Sequence, residues 1–387
     1  MYVLSSIACI VSITGKRWRN RNMEQHTTRW GWIGFTLAFL GFLFQTGFTI
    51  TRWIVAGHFP TSNMFEYLAF LGYSIAFGFL IIFLIYRLSI LGAFAMPVSF
   101  IVIAYASVFP REVTPLIPAL QSYWLKIHVT TAALGEGIFA VGFAAGLMYL
   151  IRTIDQSVPS RSRKWLEGVL CLVLMLVGFI LASLSFESMH YQAVFEFKQG
   201  EMTSTVTYDM PAITGPKDAV LTTPGAMKPL FDAPGWMKGA NAARKLNTVI
   251  WSAWIGFVFY WLIRLGTRRR IGQLLQPILS DLDSETIDEI SYRAIAIGYP
   301  IFTLGALIFA MIWASEAWGR FWGWDPKEVW ALITWLFYTA YLHLRLSKGW
   351  LGEKSAWMAV LGFIVVMVTL VFVNLVVVGL HSYAQVG

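Results

Sequence analysis

The run Met64-Phe-Glu-Tyr-Leu-Ala-Phe-Leu-Gly-Tyr-Ser-Ile-Ala-Phe-Gly-Phe-Leu-Ile-Ile-Phe-Leu-Ile-Tyr86 carries one charge, Glu66, in an otherwise apolar stretch. About 20 such residues cross a bilayer as a helix, because only a helix satisfies its own backbone in hydrocarbon. Similar runs recur at 2–14 (short), 31–56, 90–109, 124–151, 165–187, 246–264, 293–314, 328–345 and 355–380. The fold class expected is therefore all-α: a polytopic transmembrane helical bundle of about nine or ten spans. Composition agrees, with 57% hydrophobic and 13% charged residues among 387. That leaves too little polar surface for a soluble domain.

Charge orients the spans. Lys16, Arg17, Arg19, Arg21 and Arg29 follow the first segment; Arg152, Arg161, Arg163 and Lys164, then Arg268–Arg270, then Arg345, Lys348 and Lys354 follow later ones. Strict alternation puts all of them on one side, read as cytoplasmic by the positive-inside rule. The net charge of +8 is thereby explained by topology, and no nucleic-acid partner is expected. The opposite side holds one long segment, 187–245, with a strand-like run at Thr203–Tyr208. The chain divides into N-terminal helices (1–186), this extracytoplasmic segment (187–245) and C-terminal helices (246–387). The segment 265–292 begins basic and turns acidic, and is expected to be a short surface helix. Cys9 and Cys171 form no CxxC, CxxCH or zinc spacing, so the sequence shows no sign of thiol–disulfide chemistry of its own or of a covalent c-type haem.

The densest anomaly is Trp313-Ala-Ser-Glu-Ala-Trp318-Gly-Arg-Phe-Trp322-Gly-Trp324-Asp-Pro-Lys-Glu-Val-Trp330. Asp325, Pro326 and Glu328 are helix-start grammar: N-cap, first helical position and capping-box acid. The tryptophans separated by Gly319 and Gly323 are either an interface belt or a platform for a flat apolar ligand.

Trp318-Gly319-x-x-Trp322-x-Trp324-Asp325-Pro326-Lys327-Glu328 resembles the tryptophan-rich WWD signature of haem-handling proteins. His343 within Ala340–Arg345, the end Val373-Asn374 with Gly379–Ala384, and the upstream motifs Gly57-His58-x-Pro60-x-x-Asn63-x-x-Glu66 and Trp124–His128 extend the likeness. Together they resemble the CcsA/ResC family of cytochrome c biogenesis proteins, system II type, over about 30–387. Phe372 stands where that pattern leads one to expect glycine.

The resemblance implies a haem-handling subunit of a cytochrome c synthase (haem lyase) in a bacterial plasma membrane or, less expected, a thylakoid. It would move haem b to the outer face and present it for thioether attachment to the CxxCH motif of apocytochrome c, active with a CcsB/ResB-type membrane subunit. His128 and His381 fall on the same side by alternation, and the family implies that they are axial ligands of an outer haem. Asn374 precedes His381 by seven residues and shares its helical face. His343 would ligate a second, intramembrane haem, whose other ligand comes from the partner. Trp318, Gly319, Trp322, Trp324 and Asp325 complete the haem-binding set, with Arg320, Lys327, Lys126 or Arg111 as candidates for the propionates. His58 is read as structural, and His26 and His190 as solvated. Glu136, between two glycines in mid-span, must be paired, protonated or facing a cavity. The alternatives are a haem exporter or chaperone without ligation activity, and a haem-free transporter with an aromatic outer gate.

Overall fold

A computed structural model describes residues 1–14, 22–107, 109, 111–113, 116, 120–199, 202–234 and 242–373. His381, Asn374 and the run 379–384 lie outside these described residues. In chain order the helices are α1 (Tyr2–Thr14), α2 (Met23–Ala56), α3 (Met64–Tyr86), α4 (Ile90–Ala106), α5 (Tyr123–Thr153), α6 (Arg161–Ser188), α7 (Ala242–Thr267), α8 (Ile271–Leu275), α9 (Ser284–Phe302), α10 (Ala310–Trp318), α11 (Pro326–Lys348) and α12 (Glu353–Val368). Among the described residues seven helices are long and apolar enough to cross a membrane. α1 and α4, at 13 and 17 residues, are apolar but shorter, and α11 has 23 residues. The protein is an all-α polytopic membrane protein, and each apolar segment of the sequence carries a helix.

Two compact units are present. The first comprises Met1–Ile154 and Leu275–Thr369, and α5 lies at its centre, packed against α3, α4, α9 and α12. The sequence of α5 explains this position. Lipid is as apolar as leucine, so helices associate through close packing rather than through the hydrophobic effect. Ala132, Ala133, Gly135, Gly137, Ala140, Gly142, Ala144, Ala145 and Gly146 give α5 a surface of small side chains, and all of them are buried.

Two expectations fail here. His26 is not solvated; it is 7% exposed, and its Nε2 lies 3.1 Å from the carbonyl of Val11. The last carbonyls of α1 have no partner inside their own helix, and a histidine in the first turn of α2 supplies one. The segment 265–292 is not one short surface helix: it holds the five-residue α8 and, after it, the start of α9. Asp283 accepts the Glu285 and Thr286 amides as the N-cap of α9, so the acids occupy the first turns of that long helix. Asp288 there forms a two-pronged ion pair with Arg345, at 3.0 and 2.9 Å.

The second unit comprises Asp155–Leu274. Within it α6 packs against α7, and Gly178 and Gly256 bring the two backbones together. A three-stranded antiparallel sheet has the order β2-β1-β4, from β1 (Ala193–Gln199), β2 (Met202–Tyr208) and β4 (Val220–Leu221). β3 (Thr214–Gly215) pairs in parallel with β5 (Phe231–Asp232). The strand-like run at Thr203–Tyr208 is thus β2. Asn247 and Trp251 on α7 hold the segment between β2 and β3: both donate to the Pro211 carbonyl, and Asn247 Oδ1 accepts the amides of Ile213 and Thr214.

Candidate functional site

The Trp-rich run and the start of α5 meet at one end of the first unit. Ser122 is the N-cap of α5: its hydroxyl accepts the Trp124 amide and donates to the Glu316 carboxylate on α10. Trp124 packs against Phe309, with ring centroids 5.9 Å apart.

One turn further, His128 Nδ1 lies 2.9 Å from the carbonyl oxygen of Gly305. A carbonyl oxygen only accepts, so Nδ1 carries the proton, and in the neutral ring Nε2 is the unprotonated nitrogen. The imidazole lies against the buried Trp313 with centroids 5.8 Å apart and planes 11° from parallel. Trp313 in turn meets Trp318 edge-on at 4.8 Å.

Gly305 belongs to a π-helical segment, Thr303–Phe309, inside the continuous helix from Ser284 to Trp318. The widened turn follows Pro300, which lacks the N–H that would close the preceding α-turn. A Cβ at Gly305 would fall on the backbone of α5, 2.7 Å from the Ala132 Cα. Glycine therefore permits the close approach that places its carbonyl beside His128.

The loop is built by backbone requirements. α10 ends at Gly319, left-handed at φ 70°. α11 starts at Pro326 behind Asp325, which is 6% exposed. Glu328 Oε2 accepts the amides of Gly323 (2.8 Å) and Asp325 (3.1 Å), one on each side of Trp324. Trp324 itself is left-handed at φ 57° and 70% exposed. Its ring stands at 88° to that of Trp322, so these two tryptophans form an edge-to-face pair and not a flat floor. A Cβ on Gly323 would sit 2.7–2.9 Å from the Arg320 guanidinium, which is folded against the loop.

Among the expected site residues, His128, Trp318, Gly319, Trp322, Trp324 and Asp325 are thus joined through α5, α10 and one loop. His343 is elsewhere: it lies 17 residues beyond Pro326 on α11, roughly 25 Å along the helix. It is exposed there, on the same face as Ile333, Leu336 and Ala340, which are exposed too. His58 hydrogen-bonds its neighbour's carbonyl through Nδ1, while its Nε2 is buried without a partner. The motif around it is helix grammar: Gly57 ends α2, Asn63 caps α3, and Glu66 accepts from Arg52 and Ser62. His190 is exposed. Glu136 accepts a 2.7 Å hydrogen bond from Tyr67. Two contributors escaped the sequence reading. Gly305 and Thr303 sit in an unremarkable apolar run, and only the nearby Pro300 hinted at an irregular turn.

The chain matches the cytochrome c assembly protein family over residues 61–188 and 276–381, leaving out the stretch with the sheet. It is similar to proteins named cytochrome c biogenesis protein CcsA. The one from Nostoc punctiforme is 33% identical over 371 residues, covering 92% of either chain. That from Gloeobacter violaceus is 31% identical over 355 residues (91% of this chain, 86% of the relative), and that from Pyropia yezoensis 32% over 337 (86% and 81%).

Proposed function

Because this chain belongs to the cytochrome c assembly protein family, and so serves cytochrome c maturation, we propose that it is the haem-handling subunit of a cytochrome c synthase. In this reading haem b is cargo, held by this chain and attached to apocytochrome c. The observation that carries it is His128: its Nδ1 is bonded to a carbonyl, which makes Nε2 the unprotonated nitrogen, the form that ligates iron. The donor set fits the group. A neutral imidazole suits haem iron, and the exposed Trp324 offers apolar surface for a porphyrin edge. His381 would be the second axial ligand.

The attachment adds each cysteine S–H of a CxxCH segment across a haem vinyl group. Sulfur bonds one vinyl carbon and hydrogen the other, so the step needs no external oxidant or reductant. The chain's own work is then to bind and orient. His128 fixes the iron, Trp318, Trp322 and Trp324 enclose the ring, and Arg320, Lys327, Lys126 or Arg111 pairs with the propionates. The positive-inside rule supports an extracytoplasmic position for this end of the bundle, in this reading at a bacterial plasma membrane. The exposed face of α11 carrying His343 supports a CcsB/ResB-type subunit as the source of a second ligand there.

The test is the haem spectrum of the purified chain with its partner. The parent is expected to show the Soret band of a six-coordinate haem, and His128→Ala to lose or change it. A His128→Ala protein with parental spectrum and haem content would overturn the assignment. Incubation with an apocytochrome separates a synthase, which forms thioethers, from an exporter, which only releases haem.

A further inference from the structure

We propose that the π-helical segment Thr303–Phe309 is the positioning element for His128, acting through the Gly305 carbonyl and anchored to α11 by Thr303. The proposal rests on the reading of His128 as an iron ligand and adds what sets that ligand's tautomer and orientation.

Three observations converge on the segment. First, His128 Nδ1 lies 2.9 Å from a main-chain oxygen, that of Gly305. A main-chain oxygen cannot exchange roles as a hydroxyl or amide can, so it fixes the ring's protonation pattern rather than merely accepting it. Second, that oxygen belongs to a π-turn. Such turns carry one residue more than an α-turn, and they are found disproportionately at functional sites. The side chain at 305 is absent because α5 backbone occupies its space. The contact is therefore set by two main chains, one of which is the helix bearing His128. Third, the segment is tied on its far side. Thr303 Oγ1 accepts the Trp335 indole N–H at 3.0 Å and donates to the Tyr299 carbonyl at 2.7 Å. Tyr299 stacks on Trp335 (5.9 Å, 22°) and its hydroxyl pairs with Thr339 at 2.7 Å. Trp335 and Thr339 are on α11, the helix whose first turn holds the Trp-rich loop through Glu328. One segment thus fixes both His128 and the helix that carries the loop.

An imidazole that donates from its outer nitrogen to a carbonyl is more electron-rich at the metal-binding nitrogen, and losing such a partner commonly weakens metal binding 10- to 100-fold. Electron donation favours ferric iron, so loss of the bond raises the reduction potential.

The experiment uses the full chain with its partner subunit and four variants. Gly305→Ala pushes the segment off α5. Thr303→Val removes the anchor with little change of shape. Gly298→Ala perturbs the same α5–α9 seam two turns away, where a Cβ would meet the Phe139 ring at 3.0 Å. His128→Gln identifies the His128 signals. In haem-free protein labelled with ¹⁵N-histidine, NMR is expected to show His128 as the Nδ1–H tautomer, and a mixture in Gly305→Ala. In haem-loaded protein, Gly305→Ala is expected to release haem 10- to 100-fold more readily, with a raised potential and a shifted ferric EPR signal. Thr303→Val should shift in the same direction by less, and Gly298→Ala should match the parent. Should Gly305→Ala not fold, Thr303→Val and the parental tautomer carry the test. An Nε2–H tautomer in the parent overturns the proposal, as do a parental spectrum and potential in both segment variants, or equal shifts in Gly298→Ala. If His128→Gln keeps the parental haem spectrum, the ligand reading fails and the segment's role toward iron with it. That failure is recognisable because the Nδ1–H tautomer of the haem-free chain is unaffected.

Discussion

Replacing Glu328 by alanine should release Trp324 while leaving the bundle intact. Trp324 holds a left-handed backbone at φ 57°, a conformation costing a residue with a Cβ about 1–2 kcal/mol. The amides flanking it, of Gly323 and Asp325, both donate to Glu328 Oε2. Hydrogen bonds to a charged acceptor contribute about 1.5–3 kcal/mol each, and the half-buried position of Glu328 argues for the lower end. Their joint loss, less the strain relieved at Trp324, leaves the loop weaker by about 1–2 kcal/mol. By the tenfold-per-1.4 kcal/mol relation, that is roughly a 5- to 30-fold rise in opening. The assay is amide hydrogen exchange at Gly323 and Asp325 in lipid, read against α5 amides as an internal standard. Glu328→Gln keeps an acceptor and should fall between parent and alanine variant. If exchange at both amides rises less than about twofold in a folded Glu328→Ala protein, Glu328 does not hold the loop and the reasoning fails.

Arg345→Met should destabilise the protein by about 3–5 kcal/mol, because it strands the buried Asp288 carboxylate, and Asp288→Leu added to it should recover much of the loss in a thermal denaturation series. Gly178→Ala places a Cβ 2.5 Å from the Ser252 carbonyl oxygen, so overpacking of at least about 1–3 kcal/mol should lower the melting temperature in detergent. Hydrogen bonds from Thr286 hold the Asp283 carboxyl below the usual carboxylate range. Its folded-state value is thus depressed, and its contribution is present above the unfolded value of about 4 and lost as pH falls through the folded one. The stability gap between parent and Asp283→Ala should accordingly shrink on acidification.

Much of this fold was legible because membrane helices announce themselves locally. The 64–86 run needs no tertiary information to be a helix, since hydrocarbon offers its backbone no other partner. The start of α11 was legible for the same reason: Asp325, Pro326 and Glu328 act within one turn of each other. What could not be read depends on residues distant in sequence. His26 is buried because Val11 ends its helix beside it, and Arg345 serves an ion pair with Asp288 although its charge also fits the orienting pattern. The acidic run misled because the cap at Asp283 is a single residue set in otherwise surface-like composition.

The candidate site shows the same division. The tryptophan signature identifies the loop, yet its other residues serve the backbone: Glu328 accepts two amides, Asp325 caps α11 and Gly319 makes a left-handed turn. The group that fixes the orientation of His128 lies outside the signature, at Gly305, and main-chain atoms make that contact. A main-chain acceptor leaves no residue type to recognise, and a π-turn leaves only the weak trace of Pro300 upstream. Glu136 marks the opposite case. Its burial was legible as a cost, and the structure supplies a neutral donor, Tyr67, in place of a cation. That hydrogen bond makes Glu136 paired, one of the three conditions the sequence allowed for a carboxyl in mid-span.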